Sequence, residues 1–140
     1  MAIPFVAVNY TAVLVASVVG MIIGAIWYGP LFGKAWMKLS RLSPKDMAKM
    51  KKKGMGKGYL AMFIGLLVMN FVLAHMLKFA QAATVAEAVV GGVLIWLGFI
   101  ATVMLGSVLW EGKPISLYAI NAFHYLVILA VSGAILVSWA

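Results

Sequence analysis

The sequence predicts an all-α fold: a polytopic membrane protein built as a four-transmembrane-helix bundle. Three observations carry that prediction. The 140 residues are 66% hydrophobic and only 10% charged, with a mean hydropathy of +1.11. A soluble domain devotes about a quarter of its residues to charge, so this chain cannot cover itself with polar surface and needs lipid to do so. Second, uncharged runs cover Met1–Gly33, Gly58–Leu77, Ala88–Trp110 and Pro114–Ala140. A helix of about 20 apolar residues crosses a bilayer, and these runs lack the alternation of about ten residues expected of barrel strands. Third, nine of the eleven Lys and Arg residues lie between Trp27 and Tyr59.

The first span is expected over about 5–28, with Pro4 at a natural helix start. Along it Ala12, Ala16, Gly20 and Gly24 recur every fourth residue, a small-residue row that lets a neighbouring helix approach closely. Trp27 and Tyr28 read as an interfacial aromatic pair. Gly29-Pro30 reads as the stop, because the residue before proline is biased away from helix. The long apolar run without a basic leader predicts a retained span rather than a signal peptide.

A basic loop follows over 29–58. Leu31–Leu42 is expected to return to the interface, with Phe32 and Trp36 dipping in and Lys34 and Lys38 reaching headgroups. Ser43-Pro44-Lys45-Asp46 has the pattern of a capped helix start, with Ser as N-cap, Pro at the first position and an acid at the third. A short basic helix should run from there to about Lys53 and stop at Gly54-Met55-Gly56. Lys51, Lys52 and Lys53 belong to its surface, which is either a solvated face or an anionic-lipid contact.

The second span is expected over 59–79, the third over 86–110 and the fourth over 115–139. Ala80–Val85 is a short connection. Glu111-Gly112-Lys113-Pro114 is a tight turn, and Pro114 prevents the helix from running straight through it. The positive-inside rule then places the first and third loops in the cytoplasm and both termini outside, in a cell inner (plasma) membrane.

Trp27-Tyr28-Gly29-Pro30-Leu31-Phe32-Gly33-Lys34-Ala35-Trp36-Met37 has the form WYxPLFGKxW. With Asn9-Tyr10 before it and Gly54-Met55-Gly56-Lys57 after it, the chain resembles a widespread family of small prokaryotic four-helix membrane proteins of unknown function. The resemblance implies a fold and a membrane location over essentially the whole chain. It brings no catalytic residue with it.

Polar residues inside spans are costly and usually face the bundle interior. At about 1.5 Å per residue, His75 lies roughly 6 Å from the outer end, Asn70 roughly 14 Å, His124 roughly 22 Å and Thr102 roughly 24 Å. His75, Glu87 and Asn9 therefore read as an outer polar cluster, with His75 and Glu87 stapling the second hairpin. His124, Asn121, Thr102 and Asn70 read as a candidate buried polar site. Two readings of His124 stand side by side: an uncharged imidazole bonded to a neighbouring helix, with Thr102 as the partner at similar depth, or a proton-responsive or ligand-binding group.

With no cysteine there is no thiolate nucleophile, disulfide or Cys-ligated metal. The two histidines differ by roughly 16 Å in depth at 1.5 Å per residue, which excludes bis-histidine haem within one chain. No cofactor, metal or catalytic constellation is expected. The expected partners are membrane lipids, with anionic headgroups at the basic loop, and a second copy or another membrane protein; nucleic acid is not expected. The leading reading is a non-catalytic self-associating module or accessory subunit. The rival is a small transporter or channel using Asn70, Thr102, Asn121 and His124. Small four-span multidrug exporters match in size, but they need a buried Glu in the first span and this one has none. A third reading is a lipid-modifying enzyme with a site near Trp36, Lys34 and Glu111.

Overall fold

A computed structural model describes residues 6–139 of the chain. Those residues form six helices: α1 (Tyr10–Leu31), α2 (Gly33–Leu39), α3 (Pro44–Lys52), α4 (Gly56–Phe79), α5 (Val85–Leu109) and α6 (Ile115–Ser138). Four of them, α1, α4, α5 and α6, are long and apolar enough to cross a membrane. The short helices α2 and α3 sit between α1 and α4 at one end of the bundle, called here the basic end. The other end carries the described chain ends and is called the terminal end.

Helix α1 departs from expectation at both ends. It begins at Tyr10, because Asn9 caps it: the Asn9 side chain accepts from the Ala12 amide at 3.2 Å. The 6–9 segment is not helical, so the expected start near Phe5 is too early; Pro4 and Phe5 lie outside the described residues. At the other end Gly29-Pro30 does not stop the helix. Trp27–Leu31 widens into a π turn, and the Phe32 amide reaches back five residues to the Trp27 carbonyl at 2.8 Å. Proline has no N–H and its ring crowds the carbonyl four residues earlier; one extra residue in the turn relieves both problems. The chain then bends at Phe32 (φ −122°, ψ 6°) into α2. Gly33 is required at that bend, since a Cβ there would lie 2.5 Å from the Tyr28 carbonyl oxygen.

Helix α3 has the expected caps. The Asp46 amide donates to the Ser43 hydroxyl at 3.1 Å, and the Ser43 amide donates to the Asp46 carboxylate at 3.0 Å. Gly54, at φ +85°, closes its far end. Helix α5 opens on a second capping box, Thr84 with Glu87. It then carries its own π turn at Leu97–Ala101 and loses regularity toward Leu109.

The spans pack as a chain of partners: α5 on α6, α6 on α1, and α1 on α4. The closest approach is between α5 and α6. A Cβ on Gly92 would lie 2.8 Å from the Leu129 carbonyl oxygen, and one on Gly133 would lie 2.9 Å from that of Ala88. Trp96 Nε1 donates to the Ala122 carbonyl at 2.6 Å and Tyr118 Oη to the Ala101 carbonyl at 2.6 Å. Most of the buried apolar core, including Ala12, Leu73, Leu77, Leu129 and Leu136, gathers toward the terminal end. The outward faces are apolar, with Phe99 73% and Val103 71% exposed. Water would strip such surface at a cost of about 25 cal/mol per Å²; lipid tails cover it at none.

Candidate functional site

The Ala12-Ala16-Gly20-Gly24 row faces inward, and its next member in the same four-residue step is Tyr28. Ala12, Ala16 and Gly20 are buried. A Cβ on Gly20 would meet Leu66 of α4 at 3.2 Å, and one on Gly24 would meet His124 Nε2 of α6 at 3.5 Å. The row is thus the seam along which α1 meets two partners. At its basic end the small residues give way to Trp27 and Tyr28, and these two close over His124.

His124 is 2% exposed. The Tyr28 ring stands edge-on to the imidazole at a centroid distance of 4.9 Å, Tyr125 at 4.8 Å, and Trp27 is tilted at 6.2 Å. Among the described residues neither ring nitrogen has a hydrogen-bond partner. The surrounding rings are pinned from outside the nest. Tyr28 Oη donates to Asn121 Oδ1 at 2.7 Å, Trp27 Nε1 donates to the Ile120 carbonyl at 2.9 Å, and Trp36 of α2 stands edge-on to Tyr28 at 5.9 Å. The Trp27–Trp36 segment therefore folds into the wall and latch of a histidine chamber. Trp27 and Tyr28, read from sequence as interface markers, are its structural residues. The signal was available: Tyr28 continues the small-residue row by one step.

Of the four residues proposed as a buried polar site, only Asn121 joins His124, and it does so through Tyr28. Thr102 does not reach His124. It is exposed, and its hydroxyl donates to the Gly98 carbonyl on its own helix at 2.7 Å. Depth along the span was compatible with a pair, but rotation about the helix axis turns Thr102 away from α6. Asn70 is fully buried elsewhere: its amide donates to Ser17 Oγ at 3.0 Å, and Ser17 donates to the Val13 carbonyl at 2.8 Å. Ser17 lies seven residues from Gly24, about 10 Å nearer the terminal end. Asn70 Oδ1 has no partner among the described residues.

The expected outer cluster also separates into three local arrangements. Asn9 caps α1 and donates to the Trp139 carbonyl at 2.7 Å, tying α1 to the end of α6. Glu87 accepts from the Ala83 and Thr84 amides at 2.7 and 3.2 Å. His75 Nδ1 lies 2.8 Å from the Phe71 carbonyl, with its ring against Phe71 at 4.4 Å. His75 and Glu87 are each satisfied on or next to their own helix, so the expected His75–Glu87 staple is not formed.

A second feature opens at the basic end, where α5 loses regularity and leaves room beside α2 and the start of α6. It is a groove of about 460 Å³. Val103, Met104 and Leu117 form an apolar wall, while Ser40, Ser107, Glu111 and Lys113 give it polar edges. Trp36 and Asn121 line it as well, and both also touch Tyr28 beside His124. Lys34, Lys38, Lys51, Lys52 and Lys53 are all exposed around the same end. No group of three His, Cys, Asp or Glu side chains able to hold a metal ion occurs among the described residues.

Residues 11–137 match the model of a family described as a protein of unknown function, DUF1761. The chain belongs to that family. No curated protein and no solved structure matches it. Family membership covers all four spans, the His124 chamber and the basic loop, and it supplies no activity for any of them.

Proposed function

We propose that this DUF1761 protein is a non-catalytic membrane module, anchored by four spans, that works through the basic helix α3 at the cytoplasmic face. The observation that carries this reading is α3 itself. It is capped at its start by Ser43 and Asp46 and closed by Gly54, and none of its residues is buried. A helix prepared at both ends and burying none of its own residues in the bundle is suited to lie on something else. Its lysines select an anionic surface, and each one near such a surface contributes ~1 kcal/mol. In that setting the module recruits a second copy or a larger membrane complex as an accessory subunit.

The test uses vesicles. Replacing Lys51, Lys52 and Lys53 with Gln should raise protease sensitivity across 45–57 in anionic vesicles and leave it unchanged in neutral ones. High salt should reproduce the effect in the unmodified chain. Equal sensitivity in both vesicle types would remove the reading.

A second reading, small-solute or proton transfer, is favoured by the two unpartnered nitrogens of His124. Its working residues would be His124, Tyr28 and Asn121, with Asn70 and Thr102 outside the path. Nitrogen NMR of the His124 imidazole across pH separates the two readings. A ring that exchanges protons with bulk water supports transfer, and a ring inert across the range supports the module.

A further inference from the structure

The geometry points to the basic-end groove as a binding site for one zwitterionic glycerophospholipid bearing a primary amine, a phosphatidylethanolamine. This inference concerns a single lipid held in a groove and does not depend on α3 contacting the bulk membrane surface.

The groove runs from Val103 and Met104 on the last part of α5 to the turn through Glu111 and Lys113, beside Trp110, which is 87% exposed. Tryptophans gather where hydrocarbon gives way to headgroups, so the site straddles that boundary. Its volume of about 460 Å³ falls within the roughly 300–1,000 Å³ range of small-molecule sites. The lining is divided as an amphiphile is divided. Val103, Met104 and Leu117 offer a wall to the first carbons of an acyl chain, and the polar edge offers hydrogen-bonding groups to a headgroup.

Charge selects among amphiphiles. The basic loop over 29–58 is cationic apart from the capped Asp46, but the groove edge, in the turn between α5 and α6, carries one carboxylate, Glu111, two residues from one ammonium, Lys113. An anionic lipid satisfies Lys113 and meets repulsion from Glu111. A cationic amphiphile does the reverse. A zwitterion with its phosphate toward Lys113 and its ammonium toward Glu111 satisfies both, and charge-assisted hydrogen bonds are the strong ones. A primary ammonium has three N–H donors for the Glu111 carboxylate and the Ser107 hydroxyl. A trimethylammonium headgroup has none, which separates ethanolamine from choline lipids.

Native mass spectrometry of the full chain, offered equal amounts of ethanolamine, choline and glycerol phospholipids with matched acyl chains, tests the site. The unmodified protein should retain the ethanolamine lipid in preference to the other two. Glu111→Gln should lower that affinity about tenfold, the scale of one lost charge-assisted bond, and raise retention of the anionic glycerol lipid. Lys113→Gln should weaken all three. Both positions are exposed, so folding is retained, and thermal unfolding of each variant checks this. The Lys51, Lys52 and Lys53 to Gln variant should keep the ethanolamine preference, which separates this site from the surface contact of α3. Equal retention of the three lipids, or a preference unchanged by Glu111→Gln, would overturn the assignment.

Discussion

His124 sits 2% exposed with two nitrogens that find no partner among the described residues, and an unsatisfied buried polar group costs about 1–3 kcal/mol. Replacing it with a shape-compatible apolar residue removes that cost. His124→Leu is therefore expected to raise thermal stability in detergent by about 1 kcal/mol, whereas a histidine bonded to Thr102 would make the same change destabilising. Tyr28→Phe should act in the opposite direction, since it leaves half-buried Asn121 without its donor. Stability gained at the cost of function is common where a strained group does the work, so a stabilised but inactive His124→Leu variant would mark the chamber as the working site. The glycines divide just as sharply. At Gly92 and Gly133 an added Cβ meets backbone oxygen at 2.8 and 2.9 Å, and at Gly20 it meets the movable end of Leu66 at 3.2 Å. Gly92→Ala and Gly133→Ala should each cost about 2 kcal/mol by forcing α5 from α6. Gly20→Ala should cost well under half of that, and Gly24→Ala, with 3.5 Å available, should be neutral.

At the scale of single elements, α3 is the helix whose stability rests most on its caps, because none of its residues is buried. The backbone amide and the hydroxyl of Ser43 hold the Asp46 carboxyl below its ordinary range. A lowered folded-state value stabilises the helix above the unfolded value of about 4, and that contribution is lost as pH falls through the folded one. Protection of the 44–52 amides relative to their intrinsic exchange rates should therefore hold steady from neutral pH down to about 5 and fall in stronger acid; Asp46→Asn should abolish most of this dependence. Pro30 makes a separate prediction. Pro30→Ala restores an amide and allows the π turn to tighten to an α turn, rotating everything beyond it by about 100° per residue removed. Trp36 should then leave Tyr28, and its fluorescence should shift toward that of a solvated indole. The capping boxes of α3 and α5 are local patterns and were readable as such. The π turn was not, because its wider hydrogen bonds serve to carry Trp27 and Tyr28 onto α6, and that contact is made with residues some ninety positions away.

For the molecule as a whole, the crowding of nine cations between Trp27 and Tyr59 predicts one orientation. Reporters fused after Lys53 and Gly112 should share the cytoplasmic side, and those at Ala82 and Ala140 should lie across the membrane. A cytoplasmic Ala140 reporter would overturn the topology and with it the placement of α3. What the sequence determines unaided is everything written along one dimension. Apolar runs long enough to span and the side-chain caps act between near neighbours, so their physics is visible in order. What the tertiary structure alone decides is which faces meet. Depth along a helix follows from counting residues, but rotation about its axis is settled by packing. Four spans with small residues on several faces admit many pairings when lipid supplies no preference for one apolar partner over another. Close backbone approach makes the choice here: Gly92 and Gly133 bring α5 onto α6, and Gly20 and Gly24 let α1 bridge α4 and α6. That choice turns Thr102 outward, sends Asn70 to Ser17, and leaves His124 enclosed by aromatic rings.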